Sequence, residues 1–391
     1  MMKSTRLPPP GPEELAHAAR LEQVLRDEIE RDGPLDFARF MAQALYAPGL
    51  GYYSAGLTKL GAGGDFTTAP ELGDLFAHCV AHAIAPVLRE TGGDLLEPGA
   101  GSGALAADLL LALERLDALP ARYLILETSA DLRQRQAETI AARAPAHRAR
   151  VEWLDAPPAS PWRGALVANE VLDALPVRAF QRDERGVHAR TVEWRDGRFA
   201  WTLRPADAAL AARVEALSES SIAPWPMPYR SEVNELVPAW LAEVTRALEQ
   251  GVALFVDYGY ARREYYLPER REGTLVSHYR HRAHDDVLLW PGLADITAFV
   301  DFTTVAEAGV AAGLELAAYL SQAQFLFANG LAERLAEANE LPAHERLMLA
   351  QQAKRLTLPG EMGERFQAIA FARGLDPALL PFAALDRSHR L

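Results

Sequence analysis

Cysteine is nearly absent from this chain: Cys79 is the single one in 391 residues. One thiol builds neither an internal disulfide framework nor a cysteine metal cluster, and such usage suits a reducing compartment. Basic residues are also scarce, 40 Lys and Arg against 53 Asp and Glu, for a formal net charge of −13. A protein that tracks a phosphate backbone needs a basic face, so this balance argues against nucleic acid as a partner and suits a basic one. Long apolar runs are missing as well; none approaches the roughly 20 residues of a membrane-spanning helix. The stretch Met1–Pro12 is proline-rich and has neither a signal-peptide apolar core nor an Arg/Ser-rich transit helix. A cytoplasmic, bacterial protein is the expectation. Hydrophobic residues at 49% sustain a sizeable core, and the length allows one large α/β domain with additions or two domains.

The chain is organised around Leu95-Leu96-Glu97-Pro98-Gly99-Ala100-Gly101-Ser102-Gly103-Ala104-Leu105. Leu95-Leu96 suits a buried strand, and Leu105, Leu109 and Leu113 recur at helical spacing. Three glycines between them permit positive φ and close approach of a ligand to the backbone. The helix start that follows offers free N–H groups and the positive end of its dipole. Such a turn holds a nucleotide-like ligand. Gly99-x-Gly101-x-x-Ala104 also fits the dinucleotide fingerprint, which keeps nicotinamide or flavin in view. Glu97 lies two residues before the first glycine, however, and the spacing Glu-x-Gly-x-Gly-x-Gly matches the first-motif pattern of class I S-adenosylmethionine (SAM) methyltransferases. Glu127 ends the apolar run Tyr123–Leu126, where an acid accepts hydrogen bonds from ribose hydroxyls. SAM is the favoured ligand.

Around this turn, strands and helices alternate as a doubly wound parallel sheet requires. Strands are predicted at Asp94–Glu97, Tyr123–Glu127, Arg150–Leu154, Gly164–Asn169 and Val252–Tyr258, with helices near Ala104–Leu116 and Ala130–Ala144. Asp155, after the third strand, is placed to meet an adenine amino group or to cap a turn. Upstream, Glu13–Arg31 and a segment capped by Asp36 read as helices. Two glycine-rich aromatic stretches, Tyr46–Tyr53 and Gly61–Glu71, read as loops rather than core, the second as a lid over the ligand; Leu72–Leu88 then reads as a helix. An insertion follows the fourth strand. Val187–Trp194 and Phe199–Leu203, joined through Asp196-Gly197, predict a β-hairpin with a primed turn, and Leu236–Leu248 predicts a helix. From Thr304 onward the chain reads as mostly helical.

The predicted fold class is therefore α/β, a Rossmann-like, mostly parallel sheet with a helical N-terminal extension, an inserted β-hairpin region and a helical C-terminal part. Expected limits are a flexible leader at 1–12, a helical region with the lid loop at 13–90, a SAM-binding core at 91–330 with its insertion at about 180–235, and a helical region at 331–391. His278, His281 and His284 stand three apart beside Asp285, but nothing supplies a dry, supported site, so no metal is expected.

Chemistry is expected at the carboxyl ends of the strands. There the fourth strand leads into Asn169-Glu170, with Asp173 three residues on, an amide and two carboxylates at the strand mouth. Asp65 and Asp257 are further acids near it.

Three segments together carry a family resemblance: Gly64-Asp65-Phe66-Thr67-Thr68-Ala69-Pro70-Glu71, Glu97-Pro98-Gly99-Ala100-Gly101-Ser102-Gly103 and Asn169-Glu170-Val171-Leu172-Asp173-Ala174-Leu175-Pro176. The chain resembles the MidA-like SAM-dependent methyltransferases, whose eukaryotic members are mitochondrial arginine methyltransferases assisting assembly of respiratory complex I. Asp257-Tyr258-Gly259 and Pro359-Gly360-Glu361-Met362-Gly363-Glu364-Arg365-Phe366 extend the likeness over nearly the whole chain. Pro98 departs from the usual pattern, standing where an aliphatic residue is more common.

The resemblance implies methyl transfer from SAM to a protein arginine. It implies Glu170 and Asp173 as the catalytic acids, and Glu97, Gly99, Gly101, Gly103, Glu127, Asp155 and Asn169 as cofactor-binding residues. Asp65, Thr68 and Asp257 would serve the substrate or the lid. A guanidinium is permanently protonated, so paired carboxylates would hold its charge and leave one nitrogen to attack. The implied partner is a protein with a target arginine; a homodimer is allowed. Two other classes stay open: a SAM-binding assembly factor without turnover, and a nicotinamide-dependent oxidoreductase.

Overall fold

The computed structural model describes residues 7–55 and 68–391. They form two units, each assembled from separated stretches of chain: one comprises Met1–Phe66, Leu172–Val237 and Tyr260–Asp301, the other Thr67–Val171, Pro238–Gly259 and Phe302–Leu391.

The second unit holds the glycine turn. Its elements are α1 (Leu75–Thr91), β1 (Asp94–Pro98), α2 (Ala104–Arg115), β2 (Tyr123–Leu126), α3 (Ala130–Arg143), β3 (Val151–Leu154) and β4 (Trp162–Asn169). After the insertion come α4 (Val237–Thr245), β5 (Leu248–Tyr260), α5 (Phe302–Ala311), β6 (Glu315–Ser321), α6 (Gln322–Ala328), α7 (Leu331–Glu337), α8 (Ala343–Thr357) and β7 (Phe366–Arg373).

The seven main strands of its sheet lie in the order β6-β7-β5-β4-β1-β2-β3. From β5 to β3 all neighbours are parallel, whereas β7 runs antiparallel to both β5 and β6. Parallel strands covered on both faces read as continuous apolar runs, and β1 is buried at every position. The core packs Phe76, Val80, Ile84 and Val87 of α1 with Leu105, Leu109 and Leu113 of α2 and Val167 and Leu254 of the sheet. Strand order reverses between β1 and β4, and a ligand crevice opens beyond the carboxyl ends at such a point.

The C-terminal third is mostly helical as expected, but two of these strands interrupt it. Glu315–Ser321 and Phe366–Arg373 are alanine-rich, which favours helix locally, yet Phe366 to Arg373 pairs residue for residue with Tyr258 to Gly251. Tertiary pairing overrides propensity there. The helix expected over Leu236–Leu248 is likewise shorter, since β5 already begins at Leu248.

The first unit packs helices Pro12–Asp32 and Phe37–Tyr46 with a five-stranded sheet. Asp36 caps the second helix through the Ala38 N–H at 2.9 Å. The expected hairpin is present: Gly186–Arg195 pairs with Arg198–Pro205, and Asp196 and Gly197 have φ of 53° and 73°, the primed-turn signature. Leu25, Phe37, Phe40, Met41, Val192 and Phe199 form its core. Tyr46–Tyr53 is not merely surface loop, as its sequence had suggested: Tyr52 is 1% exposed, and Tyr53 stacks on Tyr46 with ring centroids 5.6 Å apart. Burial of aromatic area outweighs the glycines' freedom there. His278 and His284 sit on strands Val276–Tyr279 and Arg282–His284; among the described residues no group of three or more His, Cys, Asp or Glu is arranged to hold a metal.

Candidate active site

The turn between β1 and α2 carries three left-handed glycines, with φ of 66° at Gly99, 54° at Gly101 and 83° at Gly103. Side chains disfavour this region. Space is restricted too. A Cβ on Gly99 would sit 3.2 Å from Val171 Cγ2, and one on Gly103 only 2.8 Å from Gln136 Cα. The turn is tied from outside by Ser102, whose hydroxyl donates to Glu71 Oε1 at 2.6 Å.

Acids flank the turn on β1 and β2. Glu97 is 2% exposed and accepts the Tyr123 hydroxyl at 2.6 Å. Burial pushes its carboxyl up to about 7, against the lowering effect of that hydrogen bond. Glu127, just beyond β2, accepts the Ser129 N–H at 2.9 Å and Gln136 Nε2 at 3.2 Å. Burial raises its carboxyl above the ordinary glutamate range, and the Ser129 and Gln136 donors offset part of the rise. Asp155 is exposed and pairs with Arg133 at 2.6 Å, while Arg133 Nε donates to the Glu127 carbonyl at 2.6 Å.

Beyond β4 the backbone is bent sharply. Glu170 has a φ of 52°, unusual for a residue with a side chain, and such conformations cluster where the surroundings over-determine them. Its N–H donates to Val256 O at 2.9 Å. Its Oε1 accepts Asn169 Nδ2 at 3.0 Å and the Ala69 N–H at 3.3 Å. Asp257, 1% exposed, braces the bend by accepting the Val171 N–H at 3.1 Å and the Tyr258 N–H at 2.9 Å.

Asn169 is left with its Oδ1 buried and without a hydrogen-bond partner among the described residues. A native orphan of this kind calls for an explanation. Its Nδ2 faces a carboxylate, which only accepts, so the orphaned atom is the acceptor and suits a ligand rich in N–H and O–H donors.

The glycine turn, Glu97, Glu127, Asn169, Glu170 and Asp257 thus gather at the carboxyl ends of four neighbouring strands. Thr68 is half-buried and its carbonyl accepts the Glu71 N–H at 3.0 Å. Asp65 and the rest of the expected lid, Gly61 to Thr67, lie outside the described residues. Asp173 belongs to the other unit, where it is buried and its carbonyl accepts the Ala298 N–H at 3.0 Å.

Residues 79–320, more than half of the chain, match the family of S-adenosyl-L-methionine-dependent methyltransferases. The chain belongs to this family. Among the solved structures, a Burkholderia thailandensis protein bound to S-adenosyl-homocysteine is 44% identical, with a TM-score of 0.93 over 98% of this chain and 100% of that one. Curated relatives include the zebrafish protein arginine methyltransferase NDUFAF7, mitochondrial, 30% identical across 88% of this chain and 84% of that protein. The human protein of the same name is 27% identical across 88% and 81%. This methyltransferase uses SAM, and the residues present fit it: the left-handed glycines bend the backbone between β1 and α2 as only glycine readily allows, and the orphaned Asn169 acceptor suits a ligand that is rich in donors.

Sequence reasoning missed three contributors. Tyr123 counts as one more apolar residue of a buried strand, and nothing local marks its hydroxyl. Gln136 sits in the polar helix α3 yet is fully buried. Trp153 reaches it from β3, donating to Gln136 Oε1 at 2.8 Å.

Proposed function

We propose that this methyltransferase acts on the guanidinium of an arginine in a protein substrate. The observation that carries the reading is Glu170. Its carboxylate is held by an Asn169 amide hydrogen and the Ala69 N–H, on a backbone bent out of the ordinary region, one strand away from the glycine turn. A carboxylate fixed in this manner suits a planar cation that it can grip through paired N–H donors. The relatives carrying the name protein arginine methyltransferase support the same substrate.

In this reading Gly99, Gly101, Gly103 and Asn169 hold the cofactor's polar groups, Glu97 supports the turn, Glu127 accepts the ribose hydroxyls and Asp155 borders the adenine. Bound there, S-adenosylmethionine supplies a methyl group on an electron-poor sulfonium. The enzyme's task is to align a weak nucleophile with that methyl and to offset positive charge meeting positive charge. Glu170 does both: it draws the guanidinium charge toward the nitrogens it binds and leaves the remaining nitrogen to attack. That nitrogen gives up a proton to solvent in exchange for the methyl, so no strong base is needed. Asp257 keeps Glu170 in place through Val171, and Thr68 closes the same side. An acidic chain drawing in a basic segment fits this chemistry.

The test is transfer of tritiated methyl to an extract from cells lacking this protein, followed by hydrolysis and amino-acid analysis. Label in methylarginine is expected. Glu170→Gln should lower it by about a hundredfold, the usual loss for one preorganised electrostatic contact, with the affinity for SAM nearly unchanged. Label in lysine, carboxyl esters or small molecules would overturn the substrate assignment.

A further inference from the structure

Gln136 is 0% exposed, and three of its hydrogen bonds tie together parts of the site that are distant in sequence. Its Nε2 donates to the Gly101 carbonyl at 3.1 Å and to Glu127 Oε2 at 3.2 Å, while its Oε1 accepts Trp153 Nε1 at 2.8 Å. The partners determine which way the amide points. An indole N–H only donates and a backbone carbonyl only accepts, so a flipped amide would set donor against donor and acceptor against acceptor. Trp153 is itself steadied by the Arg148 guanidinium, 4.6 Å from its ring centre. Helix α3 is pressed against the turn at this point, since Gly103 leaves no room for a Cβ beside Gln136.

We infer that Gln136 is a positioning residue for nucleoside recognition, clamping the Glu127 carboxylate to the glycine turn and thereby setting how strongly the site distinguishes a ribose diol from a sugar without it. The inference rests on the reading of Glu127 as the acceptor of the ribose hydroxyls. A carboxylate held through Oε2 by Gln136 and through Oε1 by Ser129 has little rotational freedom. A fixed acceptor rejects a ligand lacking the matching hydroxyls, whereas a mobile one turns away and tolerates it. No other side-chain donor to Glu127 is seen among the described residues, so the clamp is a single side chain.

The experiment is calorimetric titration of the full chain with S-adenosylhomocysteine and with its 2′,3′-dideoxy analogue. The wild type should prefer the ribose form by at least about tenfold, as hydrogen bonds to a charged group allow. Gln136→Leu keeps a similar volume but removes the amide and with it all three hydrogen bonds; it should bind S-adenosylhomocysteine about tenfold more weakly and reduce the preference to roughly threefold or less. Trp153→Phe removes the indole donor along with part of the ring and leaves the amide oxygen without its partner, so it should loosen the amide and lower the preference in the same direction, which keeps the inference testable if Gln136→Leu does not fold. A merely structural Gln136 would weaken both ligands equally. A wild type that prefers the ribose form beside variants that keep its full preference overturns this inference alone. A wild type indifferent to the hydroxyls overturns both it and the reading of Glu127.

Discussion

Glu97 is a carboxyl group that opposes the fold when ionised, and its replacement should show by how much. Its side chain is 2% exposed, Tyr123 supplies its hydrogen bond, and burial lifts its pKa from 4.5 to about 7. The folded protein therefore holds this proton more tightly than the unfolded chain does, by roughly 2.5 powers of ten. At 1.36 kcal/mol for each, the ionised form carries a penalty of about 3 kcal/mol. The penalty is complete above pH 7, declines as the pH falls through that value, and is gone below about 4.5. Glu97→Gln keeps the volume and the acceptor for Tyr123 but does not titrate. Its stability relative to wild type should rise with pH between 5 and 8. About 2.5 kcal/mol of the penalty develops over that interval, so with an unfolding entropy of about 0.8 kcal/mol per degree for a chain of this size the midpoint difference should widen by about 3 °C. Thermal unfolding of both proteins at pH 5, 6, 7 and 8, without cofactor, measures it. A difference that is flat, or that narrows with rising pH, would refute the reasoning.

Two further outcomes follow from the turn. Gly101→Val should abolish measurable binding of S-adenosylhomocysteine in calorimetry, because a β-branched side chain is forced into a φ of 54° in the turn proposed to hold the cofactor. Gly103→Ala should lower stability by about 2 kcal/mol in chemical unfolding and weaken the cofactor with it, since the new Cβ meets Gln136 Cα at 2.8 Å in a left-handed conformation. If Gly103→Ala unfolds as the wild type does, α3 is not pressed against the turn as described.

Much of the sheet was legible in the sequence because strands buried on both faces leave little choice of residue. Leu95-Leu96 and Leu166–Ala168 are apolar because helices cover both sides of the sheet. The glycine turn and Asp196-Gly197 were legible for a different reason: positive φ narrows the choice of residue almost to glycine and its few substitutes. Local signals failed wherever a distant partner decides the outcome. Ala317, Ala318, Ala368 and Ala370 favour helix, and only pairing with β5 and between the two strands makes them sheet. Tyr52, in the stretch Tyr46–Tyr53, is buried by tertiary packing that a glycine-rich segment does not announce. Gln136 is the plainest case at the site. In α3 it is one polar residue among many, and its three bonds become apparent only once β1, β2 and β3 are adjacent. Asp155, chosen for its place after the third strand, is occupied with Arg133 of α3, a partner 22 residues away. The bend at Glu170 likewise depends on Asp257 from β5, far along the chain.

The claim on which the rest depends is that this chain methylates a protein arginine, and quantitative mass spectrometry tests it most directly. Total protein from cells with the chain, without it, and with the Glu170→Gln form in its place would be digested and searched for methylated arginine, lysine, glutamine and carboxyl groups. One or a few arginine sites are expected to be methylated with the wild type and lost both in its absence and with Glu170→Gln, while the other methylated residues stay unchanged. Arginine methylation identical in all three, alongside a purified protein that binds S-adenosylhomocysteine, would contradict the claim.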